Sequence, residues 1–361
     1  MRPTENQLWR MARPLLLPFS WLYGLGVFLR NLGYDSGWAK IHRIPVPVIS
    51  IGNLSAGGTG KTTLTLSLAR LLQNDPYQLS PAVLSRGYRR SSWGYQLVSA
   101  GEGSLCGWEQ SGDEPQLYAR KLTDVPVAVD ADRVRGGNFL VKHFAPSVIL
   151  LDDGFQHRRL HRDLDIVLLN SGGNIQSDHL LPAGLLREPQ SSLRRAHLIV
   201  LTYFLLGETE SERIWRTCAE HFGEHRLLAC RNKMLTCTDL RTGEKFPLED
   251  IRGMRLIPFC GIARPESFRK ILAEQGAEIP FLIRFQDHHK YGPRDVERLA
   301  TAYAEERSDY LITTEKDAVK LGGLFEALPI LVLEVEIEWL KGLDNLHREL
   351  AKLFGSSGEK G

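Results

Sequence analysis

A glycine-rich segment directly after an apolar run has the residue types and spacing of a phosphate-binding loop. The segment 55–62 reads SAGGTGKT and lies between the apolar residues 46–51 and a leucine-rich stretch with helical spacing. Glycines let consecutive backbone N–H groups curl around a polyphosphate, and the N-terminus of the next helix adds the positive end of its dipole. In such loops the lysine, here Lys61, reaches the β- and γ-phosphates, and the next hydroxyl, here Thr62, binds Mg²⁺. We therefore predict that a nucleoside triphosphate is held by Ser55, Ala56, Gly57, Gly58, Thr59, Gly60, Lys61, Thr62 and Thr63.

Acidic residues follow two other predicted elements. Asp152 and Asp153 come directly after the apolar strand 147–151, where a carboxylate lies beside the Mg²⁺ held by a phosphate loop. Neighbouring side chains on an extended backbone point in opposite directions, so one aspartate should face the metal and the other should act through water or a second ion. Asp113 and Glu114 precede a predicted helix. There an aspartate either favours the helix start or accepts the proton of a hydroxyl, and the spacing does not separate these two interpretations.

Basic and polar loops follow further strands. Arginines occur in the segments 85–90, 130–133 and 181–189; each alone is also typical of a solvated loop, but together they favour an anionic substrate. The segment 314–317, TEKD, superficially resembles the guanine-reading motif of GTPases, yet Lys316 and Asp317 are adjacent instead of one residue apart. The pair His288 and His289 could assist proton transfer. A metal site there would need another ligand of suitable spacing, and the sequence offers none nearby.

Apolar strands alternate with helical patterns from residue 46 onward, which predicts a P-loop NTPase-like α/β fold with a mostly parallel sheet. The first strand set is 82–86, 125–129, 147–151, 165–169 and 197–202; the second is 255–260, 281–285, 310–314 and 329–335, with helices at 264–275, 293–306 and 316–327. Alternating residues around a turn at 242–244 predict a β-hairpin between the two sets. We therefore predict an N-terminal membrane-associating segment (1–45), a P-loop kinase domain (46–225), a hairpin linker (226–250), a second, smaller α/β lobe (251–354) and a disordered tail (355–361).

The N-terminal segment is rich in leucine and aromatic residues. Residues 14–29 carry no charge, contain two prolines and are flanked by arginines. Sixteen residues fall short of the roughly 20 that a spanning helix needs. We interpret the segment as a helical element lying on a membrane surface, with arginines facing lipid phosphates. A helix packed on the protein's own core and a true membrane span are the alternatives.

Composition limits the remaining function classes. The 361 residues are 43% hydrophobic and 24% charged, with a formal net charge of +2 and a pI near 8.2. This balance is typical of a globular protein and does not favour nucleic acid as a partner. The five cysteines are scattered and form no C-x-x-C pair, so neither a zinc site nor a disulfide framework is indicated, and a reducing compartment fits.

These segments together resemble the tetraacyldisaccharide 4'-kinase (lipid A 4'-kinase) family. The resemblance rests on 51–62, 85–88, 112–115, 152–157, 181–189 and 314–317. It implies transfer of the ATP γ-phosphoryl group to the 4'-hydroxyl of a tetraacylated disaccharide 1-phosphate, during lipid A synthesis at the cytoplasmic face of a Gram-negative inner membrane. Ser55, where a first glycine is usual, is typical of this family, whereas the turn 261–265, GIARP, departs from its more frequent Gly-Asn. That departure puts in doubt a turn of the second lobe and not the chemistry.

The resemblance also implies roles for individual residues. Asp113 is expected to be the catalytic base, with His288 as its helper and Lys61 on the phosphates. Four residues are expected to bind Mg²⁺: Thr62, Glu114, Asp152 and Asp153. Four others are expected to bind the phosphate and sugar of the acceptor: Tyr88, Arg133, Gln156 and Arg187. The expected partners are the acylated disaccharide 1-phosphate and a membrane lipid surface, with neither nucleic acid nor an obligate protein partner. Two other classes remain open: a membrane-associated P-loop GTPase or accessory switch, and a nucleotide-binding scaffold that would need neither Asp113 nor His288.

Overall fold

The structure, a computed structural model, describes residues 7–172 and 178–355. The helices in these residues are α1 (Gln7–Asp35), α2 (Lys61–Gln73), α3 (Trp108–Ser111), α4 (Asp113–Lys121), α5 (Arg133–Phe144), α6 (Thr209–Phe222), α7 (Pro265–Glu274), α8 (Pro293–Glu305), α9 (Glu315–Ala318) and α10 (Leu343–Phe354). The strands are β1 (Val48–Asn53), β2 (Pro81–Ser85), β3 (Gln96–Ser99), β4 (Val127–Val129), β5 (Val148–Asp152), β6 (Leu164–Asn170), β7 (Leu198–Thr202), β8 (Leu227–Asp239), β9 (Lys245–Phe246), β10 (Leu256–Cys260), β11 (Ile283–Arg284), β12 (Tyr310–Thr314) and β13 (Ile330–Lys341).

The strands form one continuous sheet in the order β11-β10-β12-β13-β8-β7-β6-β1-β5-β2-β4-β3, with β9 paired to β8. Most neighbours are parallel; the antiparallel pairs are β3 with β4, β8 with β13 and β8 with β9. Helices and loops cover both faces, which explains why most strands are continuous apolar runs. The predicted α/β class with a mostly parallel sheet is confirmed.

Strand β1 lies in the middle of the first half of the sheet and directs the glycine-rich loop. All six of its residues are buried, and it pairs with β5 on one side and β6 on the other. Ile51 lies opposite Asp152, the last residue of β5. In α2, which follows the loop, Leu64, Leu68 and Leu72 are buried against this sheet. Two neighbouring parallel strands therefore deliver the glycine-rich loop and Asp152 to the same edge.

Strands β8 and β13 carry the sheet from its first half into its second. They pair antiparallel from Ala229 opposite Lys341 to Asp239 opposite Leu331. The predicted hairpin is present where β8 turns into β9, and the Asp239 carboxylate accepts the N–H groups of Arg241 and Thr242 at 2.8 and 2.9 Å. Most of β8 is nevertheless a central strand. The domain boundaries at 225 and 250 stay predictions.

The C-terminal helix α10 returns to the first half of the sheet. Its buried leucines, Leu346 and Leu350, belong to the same apolar core as Ile49 and Leu64. The predicted helix over 316–327 is wrong, because α9 ends at Ala318 and a short 3-10 turn, Gly323–Phe325, follows. Two consecutive glycines at 322 and 323 disfavour a continuous helix there. Of the predicted tail, residues 356–361 lie outside the described part of the chain.

Helix α1 is longer than predicted. It continues through Pro14 and Pro18 for 29 residues, so the expectation that the apolar segment is too short to cross a bilayer is wrong. Residues Arg13–Asp35 are long and apolar enough for a span by length and composition, and the described residues contain one such helix. Only 11% of that window is buried. This low burial disfavours the alternative of a helix packed on the protein's own core.

The second half of α1 is fastened to the loop 178–190. The Ser20 hydroxyl accepts the N–H of Ala183 at 3.0 Å, and the Tyr23 hydroxyl donates to the carbonyl of Arg187 at 3.0 Å. Arg30 pairs with the buried Glu188 at 3.0 Å. This docking leaves the opposite side of the helix uncovered, where the exposed side chains are Leu15, Phe19, Trp21, Leu22, Leu25, Phe28 and Leu29.

Candidate active site

A cavity of about 420 Å³ lies against the glycine-rich loop. Residues 56–63 form one wall, and the second half of the sheet supplies the facing wall, with Ile262, Ala263, Arg264, Phe268, Ile271, Thr314, Lys316, Leu333 and Val335. Its volume is in the range of small-molecule sites, and the mixture of apolar walls with a few charged groups is typical of them.

The glycine-rich loop has the backbone that its sequence predicts. Gly60 lies in the left-handed region with φ of 86° and caps α2, which begins at Lys61. Gly57 has φ of 115°, a conformation that L side chains rarely adopt. Asn53 donates to the Thr59 hydroxyl at 3.0 Å, and the N–H of Ala56 donates to the carbonyl of Leu185 at 2.7 Å.

Of the nine residues predicted to hold ATP, eight line the cavity. Ser55 is the exception, because it forms a β-bridge with Leu186 and fixes the loop to its neighbour. The cavity therefore has the phosphate-binding wall that the sequence predicts, and Ser55 supports that wall from outside.

Asp152 and Asp153 face different surroundings, as adjacent residues at a strand end should. Asp152 is 1% exposed and accepts a hydrogen bond from Ser85 at 2.9 Å, while its other carboxylate oxygen has no partner among the described residues. Asp153 lines the cavity, 3.4 Å from the Lys61 amine and 2.8 Å from Arg187. Burial raises the pKa of Asp152, and Glu114 and Asp153 raise it further. Burial also acts on Asp153, but Lys61 and Arg187 outweigh it and lower the pKa.

These residues fit a divalent cation. A buried carboxylate oxygen without a partner, beside two further carboxylates, is stabilised by a positive ion. The described residues contain no cluster of three His, Cys, Asp or Glu side chains arranged as a metal site. Mg²⁺ does not require one, since it is usually held by one or two carboxylates together with substrate phosphates and waters.

Asp113 and His288 are 175 positions apart in the chain and meet at the edge of the cavity. His288 Nδ1 lies 2.8 Å from Asp113 Oδ2, and Asp113 Oδ1 accepts the N–H of Glu114 at 3.0 Å. Asp113 is 5% exposed and stands just behind the wall, which Glu114 and His288 form. Burial raises the pKa of Asp113, but the His288 hydrogen bond and the charge of Lys316 outweigh it and lower the pKa to about 2. Asp113 is therefore ionised at neutral pH and can accept a proton.

The sequence interpretation missed Lys316 as a member of the site. Its amine lies 3.5 Å from Glu114, 3.6 Å from Asp287 and 3.8 Å from Asp113. Burial disfavours its charge, but these carboxylates outweigh burial and raise its pKa above the usual value. The available signal was its position just after the carboxyl end of β12, where ligands of parallel sheets bind.

Of the four residues predicted to bind the acceptor, two line the cavity and two do not. Arg187 and Tyr88 line the cavity, and the Tyr88 ring lies 5.2 Å from the His288 ring. Arg133 and Gln156 do not line it. Arg133 is 4% exposed with an unpartnered Nε atom, and burial together with Arg86 lowers its pKa to about 10. Gln156 donates to the carbonyl of Asn53 at 2.9 Å.

The turn 261–265, where the sequence departs from the family pattern, belongs to the cavity wall. Ile262, Ala263 and Arg264 line the cavity, and a Cβ atom added to Gly58 would lie 3.2 Å from the Ala263 Cβ. The departure lies in the turn between β10 and α7, in the predicted second lobe, and this turn also borders the cavity. A side chain at position 58 would crowd Ala263, so this turn approaches the phosphate-binding loop closely.

Comparisons with known proteins agree with this geometry. The family model for tetraacyldisaccharide-1-P 4'-kinase matches residues 12–354. The chain is 39% identical to "Tetraacyldisaccharide 4'-kinase" of Aquifex aeolicus over 328 residues, covering 91% of this chain and 96% of that protein. It is 38% identical to the protein of the same name from Syntrophus aciditrophicus over 351 residues, covering 94% of this chain and 93% of that protein.

A solved structure is similar over nearly the whole chain. It is described as the "apo" form of LpxK from Aquifex aeolicus in complex with ATP, and it superposes with a TM-score of 0.75 at 34% identity. The superposition covers 95% of this chain and 99% of that one. Sequence and fold agree over the same residues, and the chain belongs to the tetraacyldisaccharide-1-P 4'-kinase family.

Proposed function

We propose that this protein is an ATP-dependent lipid kinase that phosphorylates the 4'-hydroxyl of a tetraacyldisaccharide 1-phosphate during lipid A biosynthesis. Family membership supports this activity. The observation that carries it is the pair of Asp113 and His288, 2.8 Å apart beside a cavity that has a phosphate-binding loop on one wall. Nucleotide binding alone needs no such pair, whereas an attacking hydroxyl group gives the carboxylate a proton to accept.

The geometry supports a direct transfer. The 4'-hydroxyl oxygen attacks the γ-phosphorus of ATP, the bond between that phosphorus and the β,γ-bridging oxygen breaks, and ADP leaves. The hydroxyl proton passes to Asp113, which His288 orients. Lys61 faces the transferred group from the start of α2 and offsets the charge of the phosphate oxygens.

Mg²⁺ is proposed to be held by Thr62, Asp152 and Asp153, with Glu114 at its edge. This assignment is supported by the unpartnered oxygen of Asp152 and by the position of these side chains around the loop. When bound, the ion neutralises charge on the β- and γ-phosphates. Arg187 and Tyr88 are proposed to contact the acceptor, because they border the cavity on the side of α1 and of His288.

Incubation with γ-labelled ATP and an acylated disaccharide 1-phosphate tests the proposal. We expect label in the glycolipid, less than a tenth of that rate with GTP, and little with a deacylated acceptor. A membrane-associated GTPase switch would instead hydrolyse GTP slowly without any acceptor. Unlabelled glycolipid in the presence of ATP and Mg²⁺ would exclude the kinase assignment.

Helix α1 is proposed to bind the membrane at the cytoplasmic face of the inner membrane. Its uncovered side chains are apolar and aromatic, with Trp21 73% exposed and Leu25 52% exposed. Burying large apolar side chains in lipid is favourable by roughly 1.5–3 kcal/mol each. The five cysteines are unpaired, as expected in a reducing compartment where ATP is available.

We expect the double substitution Trp21→Glu and Leu25→Glu to lower the vesicle-bound fraction of the protein at least about tenfold, because two charges replace apolar contacts with lipid. Sedimentation with phospholipid vesicles measures this fraction. Trp93→Glu is the matched control, since Trp93 is 95% exposed but lies away from α1, and its binding should equal that of the wild type. Equal binding of the double variant would place the anchor elsewhere.

A further inference from the structure

Lys316 lies partly buried among the groups that carry the proposed transfer, with 20% of its side chain exposed, although nothing in its sequence motif assigns it a role. It belongs to α9, which follows β12 in the second half of the sheet, whereas Asp113 starts α4 in the first half. Its amine lies within 4 Å of three carboxylates and 3.5 Å from His288 Nε2. Lys316 also lines the cavity opposite Lys61. The ammonium group therefore joins the two halves of the site.

The contact with His288 determines which ring nitrogen carries the proton. An ammonium group has donors only, so the ring nitrogen that faces it must offer a lone pair. Nε2 then accepts from Lys316, and Nδ1 carries the hydrogen that is donated to Asp113 at 2.8 Å. Asp287 lies 3.8 Å from the same Nε2, beyond hydrogen-bond distance, and is itself paired with Lys316. The lysine thus favours one tautomer and one ring orientation.

A buried network fixes Lys316 and His288 to the same turn. Asp317, which is fully buried, accepts the N–H of Gly261 at 3.0 Å and the hydroxyl of Thr314 at 2.8 Å, and it pairs with Lys320 at 2.8 Å. The carbonyl of Gly261 in turn accepts the N–H of His288 at 3.3 Å. His288 itself has φ of 61°, so its backbone is held in a sparsely populated conformation. Groups held this firmly are typical of a preorganised site.

We propose that Lys316 is a positioning residue for phosphoryl transfer, whose ammonium group fixes the tautomer and orientation of His288 against Asp113. This inference rests on the proposed kinase function and adds a member to its site. Loss of the ammonium group leaves His288 free to turn or to change tautomer, so the acceptor hydroxyl meets a misaligned base. The charged and titratable groups that surround the amine are Asp113, Glu114, Tyr203, Asp287, His288 and Asp317.

The test is a double-mutant cycle between Lys316 and His288 in the full chain. We expect Lys316→Met to lower kcat about 30- to 100-fold with KM for ATP changed less than about threefold, because positioning of a general base contributes roughly 10²–10⁴-fold. In the His288→Ala background the same substitution should lower kcat less than about threefold, because the effects of residues that act as a unit are not additive. Lys316→Arg keeps the charge and should stay within about tenfold of the wild type.

Lys121→Met is the matched control. Lys121 is also a partly buried lysine that joins the two halves of the sheet, through Glu315 and Glu334, but it contacts neither Asp113 nor His288. The Lys121→Met substitution should lower the melting temperature without changing kcat measured below that temperature. If Lys316→Met behaves in the same way, or if it lowers kcat by the same factor in the His288→Ala background as in the wild type, Lys316 does not act through His288. An inactive wild type would instead refute the proposed function.

Discussion

Asp113→Asn is expected to lower kcat for phosphoryl transfer by about 10²- to 10⁴-fold while ATP still binds, because the variant loses a positioned base and the hydrogen bond that His288 donates to it. Asparagine has nearly the same shape and can keep the hydrogen bond from the N–H of Glu114. Its side-chain amide does not accept the proton of an alcohol at neutral pH. Asp113 does not line the phosphate-binding wall, so nucleotide affinity should change little.

Transfer of labelled phosphate and calorimetric titration with ATP separate the two effects. Asp239→Asn is the matched control, because Asp239 is 4% exposed and its carboxylate also accepts backbone N–H groups, but in the β8–β9 hairpin. It should retain the wild-type rate within about threefold. Full activity in Asp113→Asn would show that the hydroxyl reacts without this base and would leave the Asp113–His288 pair as a purely structural contact.

Lys61→Met is expected to lower kcat/KM for ATP by about 10³-fold or more, with losses in both affinity and rate. Lys61 is the first residue of α2 and follows Gly60, which has a left-handed backbone conformation. Its amine lies 3.4 Å from the Asp153 carboxylate. Without it the triphosphate loses a positive charge at the group being transferred, and removal of one such donor typically costs 10²- to 10³-fold in rate alone. Asp153 would keep Arg187 as its positive partner, so the carboxylate pair should remain in place.

Initial rates over a range of ATP concentrations, together with direct ATP titration, give both constants. Lys142→Met, on the exposed side of α5, removes one lysine at a distance from the cavity and should leave both constants unchanged. Wild-type kinetics in Lys61→Met would contradict the assignment of ATP binding to the glycine-rich loop.

Local sequence was sufficient for the parts of the site that are close together in the chain. The glycine-rich loop follows a buried strand and precedes a helix, and these three elements specify the phosphate wall without reference to the rest of the fold. Asp152 was identifiable from its position at the end of an apolar strand, although its place beside the loop depends on the pairing of β5 with β1.

Contacts between distant segments were not predictable from pattern alone. The antiparallel pairing of β8 with β13 joins residues about a hundred positions apart, and no local signal states which strands become neighbours. Without that pairing the cavity has one wall, and neither the contact of Lys316 with Glu114 nor the approach of residues 261–265 to Gly58 can be foreseen. His288 was reached through the family resemblance; its hydrogen bond to Asp113 depends on the same long-range pairing.

Two errors have a physical origin in the weakness of local rules. Proline disfavours helix interiors, yet α1 continues through Pro14 and Pro18 in its first half. Conversely, residues 316–327 have a helical apolar pattern, but the glycines at 322 and 323 disfavour a continuous helix, and α9 ends after one turn. Proline therefore did not interrupt α1, whereas glycine outweighed the apolar pattern after α9.

The docking of α1 on the loop that carries Arg187 fixes the height of the cavity above the lipid headgroups in the proposed orientation. An acceptor anchored by its own acyl chains then arrives by lateral diffusion in two dimensions. Turnover at saturating ATP should accordingly follow the mole fraction of acceptor in the bilayer, and dilution with inert phospholipid should slow the enzyme even when the bulk acceptor concentration is constant.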